Sequence, residues 1–286
     1  MAIGPPGNET EKEKARRRAE FILKIYEQIG YGAINIGGTD LVLGIEYLRT
    51  LQKDYKFPFL SANLKDKKTG KTTFTPYILK EIDGLRLGII GLITTDVPPY
   101  IHKEMTDYVI EEPIKVATGI INGPMAHCDH IVALAHLNPP EIEELAKKVP
   151  QISIIIGGKN RSFFFPKQIN RSIWVQTDAY GLHIGRMNLS LVKGSKEFID
   201  ILPRKLIEKN IEEVQKKMED PQYAKEIGTL EEMQRMLTEQ KKRILDTERK
   251  NTFENYLILL HPKMKSDQEI ERMISSSRDQ LKRPLP

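Results

Sequence analysis

Two short apolar runs constrain the fold of this 286-residue chain more than any other feature. The first reads HIVALAHL at residues 130–137, and the second reads ISIIIGG at residues 152–158. Both have the length of a strand and are apolar at nearly every position, which favours a sheet that is covered on both faces. Between them, PPEIEELAKKV places prolines at a helix start and acids in its first turn. This pattern predicts a layered α/β sheet.

Helix and strand signals alternate along the rest of the first 200 residues. Helices are predicted over 13–29 and 41–54, and strands over 33–36, 74–82, 85–92, 173–179 and 183–192. Asp83-Gly84, a favoured type I′ turn pair, joins two of these strands and predicts a hairpin. The alternation predicts an α/β layered domain over residues 1–203.

The pattern changes near Pro203. Beyond it, apolar residues recur at helical spacing with charged residues between them, as at Ile207, Ile211, Val214 and Met218. We therefore predict a helical extension over residues 204–286, with an apolar cluster at 250–261. Amphipathic helices of mixed charge are suited to packing on the α/β domain or on a protein partner.

Charge and cysteine content exclude several classes of protein. The net charge of +5 comes from 44 Lys and Arg against 39 Asp and Glu, and blocks of one sign are short. No nucleic-acid footprint is predicted from such a balance. The single cysteine, Cys128, excludes an intrachain disulfide. No apolar run approaches the roughly 18 residues of a membrane span, so no transmembrane segment is predicted.

Polar residues follow three of the predicted strands, at the carboxyl ends where ligands collect in layered α/β folds. They are GGTD at 37–40, HLN at 136–138 and GGKNRS at 157–162. In the third, two glycines allow backbone amides to approach an anion, and two cations follow them. The predicted anion-binding residues are Gly157, Gly158, Lys159, Asn160 and Arg161. The alternative is that both cations are solvated at a loop without function.

The HCDH segment at residues 127–130 is a weaker candidate. A zinc site usually needs four well-spaced ligands, and this spacing does not match one. Cys128 beside His127 is a further nucleophile candidate, for which a structural role is the favoured alternative. His183 is predicted to be structural.

The order and spacing of the strand ends resemble the 5'-nucleotidase and UDP-sugar hydrolase branch of the calcineurin-like metallophosphoesterases, over about residues 20–192. Family members read close to YDAxxxGNHEFDxGxxxLxxLxxxxxFPxLSANL, where this chain reads YGAINIGGTDLVLGIEYLRTLQKDYKFPFLSANL. A later family stretch, DxIVxLSHLGxxxxxxLAxxVPxIDxIIGGHSH, corresponds to DHIVALAHLNPPEIEELAKKVPQISIIIGGKNR. The resemblance implies the family's layered α/β sheet sandwich.

The resemblance also implies a chemistry. The family uses two divalent metals, roughly 3.5 to 4 Å apart, to clamp a phosphoryl group and activate water. The bridging Asn of the family's GNHE motif falls on Gly38, and the catalytic His falls on Thr39. The acid that follows is kept in kind as Asp40, and the His of the SHLG motif is kept as His136. Asp40 and His136 are therefore the catalytic candidates, and His136 is the candidate metal ligand.

The family's remaining ligand positions are altered or unmatched. Both ligand positions of the GGHSH motif fall on cations, Lys159 and Arg161. The family's Asp-x-His and Gly-Asp motifs have no counterpart before the helix predicted from residue 13. We therefore expect the first strands of the sheet to be missing, or to have been lost when the chain's start was assigned.

Two hypotheses follow for the function. The first is a degenerate pseudoenzyme of this family: a non-hydrolytic scaffold or binding module without a cofactor, whose partner is a small phosphorylated or anionic ligand. A protein partner would bind through the helical extension. The alternative is a metal-dependent phosphoester hydrolase that uses divalent ions and whose remaining ligands lie upstream. By resemblance, either would lie in the periplasm or cell envelope.

Overall fold

The computed structural model describes residues 9–160, 164–178, 181–243, 249–261 and 263–282. Its helices are α1 (Glu9–Gln28), α2 (Ile45–Leu51), α3 (Pro113–Asn122), α4 (Pro139–Lys148), α5 (Leu202–Glu219), α6 (Ile227–Arg243) and α7 (Gln268–Lys282). The first strands are β1 (Ile34–Asn35), β2 (Phe59–Leu60), β3 (Leu64–Asp66), β4 (Tyr77–Ile82), β5 (Leu85–Ile93), β6 (Tyr108–Ile110) and β7 (His130–His136). The later strands are β8 (Ile154–Gly157), β9 (Phe164–Ile169), β10 (Ser172–Gln176), β11 (His183–Ser190), β12 (Phe198–Asp200) and β13 (Asn251–Leu259).

A six-stranded sheet with the order β4-β5-β7-β8-β10-β9 forms the centre of the α/β layer. Its four inner strands are parallel, and β4 and β9 pair antiparallel at the two edges. The two apolar runs of the sequence are the neighbours β7 and β8, as the pattern predicted. Because the inner strands are parallel, their carboxyl ends meet at one edge of the sheet.

One face of this sheet packs against α3 and α4. Alternate residues of β7, namely Ile131, Ala133 and Ala135, point into this core and are at most 3% exposed. Leu145 of α4 and Trp174 of β10 belong to the same cluster. The amphipathic face of α4 therefore covers the strands that carry the candidate residues at their ends.

The predicted hairpin and the predicted second helix have different outcomes. Asp83 and Gly84 both have positive φ, as a type I′ turn requires, and β4 pairs with β5. The helix predicted over 41–54 is interrupted: a 3₁₀ helix spans Gly38–Leu43, and α2 begins only at Ile45. Gly44 separates them with a φ of 92°, a conformation that favours glycine and ends the helical path.

The chain divides into two compact units. The first consists of Met1–His183 together with Leu259–Pro286, and the second is Ile184–Ile258. The region predicted as a helical extension contains α5, α6 and α7 as expected. It also contains β13, a strand that we did not predict from the apolar cluster at 250–261. Pairing with β12 and burial of Phe253 favour the extended conformation there. The domain boundary at 203/204 stays a prediction, because compactness does not test independent folding.

Within the part of the chain that the structure describes, no helix combines the length and apolar character needed to cross a membrane.

Candidate functional site

The three polar strand ends of the sequence meet at the carboxyl edge of the central sheet. His136 is the last residue of β7, and Gly157 is the last residue of β8. The Gly158 N–H donates to the carbonyl of Ala135 at 3.0 Å, which keeps these two ends in register. The Gly38 N–H, just beyond β1, donates to Nδ1 of His136 at 3.2 Å. His136, Gly38 and Gly158 therefore lie together at this edge.

The imidazole ring of His136 is oriented by a hydrogen bond from the backbone of Gly38. Because Nδ1 accepts the Gly38 N–H, the neutral ring carries its proton on Nε2. Burial lowers the pKa of His136 below its ordinary value of 6.5, since desolvation disfavours the imidazolium. The Asp40 carboxylate opposes this shift in pKa, and the Lys159 ammonium adds to it. His136 is therefore a predominantly neutral imidazole near pH 7.

Asp40 approaches the same point as His136. Its Oδ2 accepts the N–H of Gly37 at 2.9 Å. A Cβ atom built on Gly37 would lie 3.1 Å from Nε2 of His136 and 3.3 Å from Oδ2 of Asp40. The two catalytic candidates thus converge on one small space, which glycine leaves free of a side chain.

Gly38 occupies the position that the resemblance assigns to a bridging asparagine. A Cβ atom there would lie 2.8 Å from Cγ1 of Val97, which is 8% exposed. Real Cβ atoms do not come this close to another carbon, so a larger residue would have to displace the valine. The space of a metal ligand is therefore filled by an apolar side chain that the sequence analysis did not single out.

Lys159 is bonded to Asp96, which follows β5. Its Nζ donates to the main-chain carbonyl of Asp96 at 2.9 Å and to Oδ2 of the same residue at 3.0 Å. Nδ2 of Asn138 donates to the same Oδ2 at 3.2 Å. These contacts, chiefly the one from Lys159, hold the pKa of Asp96 below its usual range. Asp96 was not predicted as a site residue, although an acid three residues beyond the end of a parallel strand was a usable signal.

A second group of hydrogen bonds fixes the residues around this ion pair. Asn138 is the N-cap of α4, and its N–H donates to Oε2 of Glu141 at 2.7 Å. Oε1 of Glu141 accepts from the hydroxyl of Thr94 at 2.7 Å. Oγ1 of Thr94 in turn accepts the N–H of Asp96 at 3.1 Å. The ends of β5, β7 and α4 are thus joined by side chains on one edge.

The described residues of this edge do not fit a two-metal centre. Such a centre needs several carboxylate, amide or imidazole ligands around two closely spaced ions. Among the described residues, no three His, Cys, Asp or Glu side chains lie close enough to hold a metal ion. Nδ1 of His136 is engaged by a backbone N–H, and Gly38 offers no ligand atom. No catalytic step through a metal can be derived from this arrangement.

The other residues that the sequence singled out have varied surroundings. Arg161 lies outside the described residues, and the carbonyl of Asn160 accepts from Nε2 of Gln176 at 3.2 Å. The HCDH segment lies at the opposite end of β7 from His136, where Nδ1 of the buried His130 is 3.1 Å from the hydroxyl of Ser153. Nδ1 of His183 lies 2.8 Å from Oδ2 of Asp178, a pair that we did not predict.

Comparison with known proteins gives relatives of one kind. No family model matches the chain. The protein UshA of Salmonella pullorum is 27% identical over 205 residues, which are 60% of this chain and 37% of that protein. A 5'-nucleotidase of Vibrio cholerae is 32% identical over 158 residues, which are 50% of this chain and 29% of that protein. The chain spans less than half the length of these relatives.

Solved structures show the same fold. The calcineurin-like phosphoesterase YfkN from Bacillus subtilis superposes with a TM-score of 0.65 at 16% identity, over 98% of this chain and 81% of that chain. A 5'-nucleotidase precursor from Thermus thermophilus gives a TM-score of 0.62 at 17% identity, over 93% of this chain and 46% of that chain. In sequence the chain is therefore similar to UshA and to 5'-nucleotidases over part of its length, and its fold is similar to that of the calcineurin-like phosphoesterase YfkN.

Proposed function

We propose that this chain carries a 5'-nucleotidase-like metallophosphoesterase domain that does not hydrolyse phosphoesters. It is instead a binding or scaffold module whose carboxyl sheet edge holds an oxyanion. The domain needs no metal cofactor for this role. The partner that fits best is a small phosphorylated or otherwise anionic molecule.

The contact between Lys159 and Asp96 carries this proposal. The resemblance assigns a metal ligand to the position of Lys159, and an ammonium group cannot donate electrons to a metal ion. Here Nζ is 3.0 Å from a carboxylate oxygen, so a fixed cation stands at the ligand position. Val97, packed against Gly38, supports the same conclusion at the second altered motif.

The anion-binding part of the proposal rests on what this edge already holds. An ammonium and a side-chain amide converge on one carboxylate oxygen of Asp96. Gly158 beside them leaves open space, because a Cβ there would meet only the Ala135 carbonyl, at 4.0 Å, although its N–H is already bonded to that carbonyl. Donors of this kind bind carboxylate and phosphate oxygens alike. We therefore expect phosphate to be recognised by the same groups.

A metal-dependent phosphoester hydrolase is the alternative, and one observation favours it. His136 and Asp40 converge on the space beside Gly37, as a catalytic imidazole and carboxylate would. The alternative requires divalent metals and further ligands from outside the described residues. Under it, hydrolysis would depend on His136.

A hydrolysis assay separates these functions. The purified chain is incubated with bis-p-nitrophenyl phosphate and with a nucleoside 5'-monophosphate, each with Mn²⁺, Co²⁺ or Zn²⁺. We expect no turnover above that of His136→Ala, which serves as the matched control for contaminating phosphatases. Turnover that is abolished by His136→Ala and by a chelator would establish the hydrolase and refute the proposal. A location in the cell envelope and a protein partner at the helical region stay predictions.

A further inference from the structure

We infer that the carboxylate of Asp96 is an internal occupant of the anion site at Lys159. An external oxyanion of the phosphate class would then bind only by displacing it. This inference rests on the proposed anion-binding function and adds its regulation: an autoinhibitory contact within the site itself.

The geometry around Asp96 is that of a bound anion. Its Oδ2 receives two donors, Nζ of Lys159 at 3.0 Å and Nδ2 of Asn138 at 3.2 Å. A charged donor and a neutral donor that converge on one oxygen are a common arrangement for binding carboxylates and phosphates. A phosphate oxygen at the position of Oδ2 would satisfy both donors in the same way.

The two partners of the ion pair differ in exposure. The side chain of Lys159 is 23% exposed, whereas that of Asp96 is 76% exposed. The donor therefore lies on the protein side of the contact, and the carboxylate lies on the solvent side. Because exposed ion pairs contribute little to stability, the carboxylate can leave without disturbing the core.

The groups that remain after such a displacement are held by other contacts. Asn138 is fixed as the N-cap of α4, with its N–H on Glu141. The main chain of Asp96 is fixed by its N–H bond to Thr94, so only its side chain has to move. The backbone at Gly158 adds open space next to Lys159. The donors are therefore arranged in advance for a second oxyanion.

Competition by an internal carboxylate reduces affinity in a predictable way. If Asp96 occupies the site for most of the time, only the remaining fraction of molecules can bind an external anion. The apparent dissociation constant is then raised by the inverse of that fraction. Removal of the carboxylate abolishes the competition and leaves the charge of Lys159 unneutralised. Phosphate should therefore bind more tightly after Asp96 is replaced.

The test is a titration with inorganic phosphate at constant ionic strength. Binding is measured by calorimetry and by the NMR chemical shifts of the backbone amides of Gly157 and Gly158. Asp96→Ala is compared with wild type, with Lys159→Met, with Asp96→Ala/Lys159→Met, and with Asp107→Ala. The last variant removes the same charge from an exposed aspartate that is not part of this edge. Thermal unfolding of each variant establishes that it is folded, and Asp96→Asn replaces Asp96→Ala if that variant is not.

We expect Asp96→Ala to bind phosphate at least about tenfold more tightly than wild type. The gain should disappear in the double variant and be absent in Asp107→Ala. Equal affinity in wild type and Asp96→Ala, with both losing affinity on Lys159→Met, would overturn the inference but preserve the anion-binding function. No binding in any variant would overturn both. An equal gain in phosphate affinity in Asp107→Ala would show that the change in net charge causes the effect, and it would also overturn the inference.

Discussion

Two glycine pairs lie at strand ends in this molecule, and they differ in what surrounds them. Gly37-Gly38 follows β1. A Cβ on Gly37 would lie 2.9 Å from Cδ2 of His136, and a Cβ on Gly38 would lie 2.8 Å from Cγ1 of Val97. At the end of β8, a Cβ on Gly157 would lie 2.8 Å from Nε1 of Trp174. Gly158 alone has open space, with nothing nearer than 4.0 Å.

Similar sequence features therefore arise here from different physical causes. Beside Gly37 and Gly38, the side chains of His136 and Val97 fill the space that larger residues would need. In the second pair, Gly157 is packed against other side chains, whereas Gly158, next to Lys159, has open space around it. The two strand ends thus differ: packed side chains surround the glycines after β1, whereas the end of β8 has open space beside the Lys159 ammonium.

The largest effect is expected for Gly157→Ala. The added methyl group would meet two buried side chains, those of Trp174 and Gln176. Overpacking of this kind costs about 1–3 kcal/mol of unfolding free energy. Urea denaturation of Gly157→Ala and of Gly158→Ala measures the contrast. For Gly158→Ala we expect a change within about 0.5 kcal/mol, and a loss equal to that of Gly157→Ala would remove the distinction between the two glycines.

A smaller effect is expected for Gly38→Ala, because one valine methyl group is displaced. We predict a loss of about 1 kcal/mol, at the low end of the range for overpacked sites. The added Val97→Ala change should relieve the contact, so the two changes should not be additive. Strict additivity in a double-mutant cycle would show that Val97 does not limit the space at Gly38.

The next prediction concerns pH. The pKa of His136 is lowered in the folded state, so between that value and its ordinary 6.5 the unfolded chain binds more protons. Stability from this group is complete above pH 6.5 and declines as the pH falls, by at most about 1.4 kcal/mol per pH unit. Denaturation curves from pH 7.5 to 5 measure the slope, and His136→Gln should flatten it.

The exposed His127 supplies the control for this experiment. His127→Gln removes an exposed imidazole and so separates the loss of a histidine as such from the loss of the one at position 136. If His127→Gln and His136→Gln altered the slope equally, burial of His136 would not be the cause. An NMR titration of the His136 ring gives a direct measure, and it should show a pKa below 6.5.

The smallest effect on stability is expected for Lys159→Met. Its ion-pair partner, Asp96, is 76% exposed, so loss of the pair should lower the melting temperature less than Gly157→Ala does. Binding of phosphate should nevertheless be lost. A variant that is much less stable than Gly157→Ala would show that Lys159 is a structural tie instead of a binding residue.

Much of the fold could be predicted from the sequence because its signals are local. The near-continuous apolar runs gave β7 and β8, and Asp83-Gly84 gave the hairpin. The interruption at Gly44 depends on a single backbone angle, and β13 forms through pairing with β12, which is distant in sequence. The candidate edge was located because parallel strands end together. Asp96 and Val97 were not predicted, because their contacts with Lys159 and Gly38 join residues that are distant in sequence.

The amount of metal bound per chain shows whether this sheet edge is a dinuclear metal centre. The purified chain is dialysed against Mn²⁺ or Zn²⁺ and then against metal-free buffer, and bound metal is counted per chain by mass spectrometry. We predict well below one equivalent, unchanged in His136→Ala, because the described residues of the edge do not supply a set of metal ligands. About two equivalents per chain, lost in His136→Ala, would be the content of a dinuclear hydrolase and would contradict it.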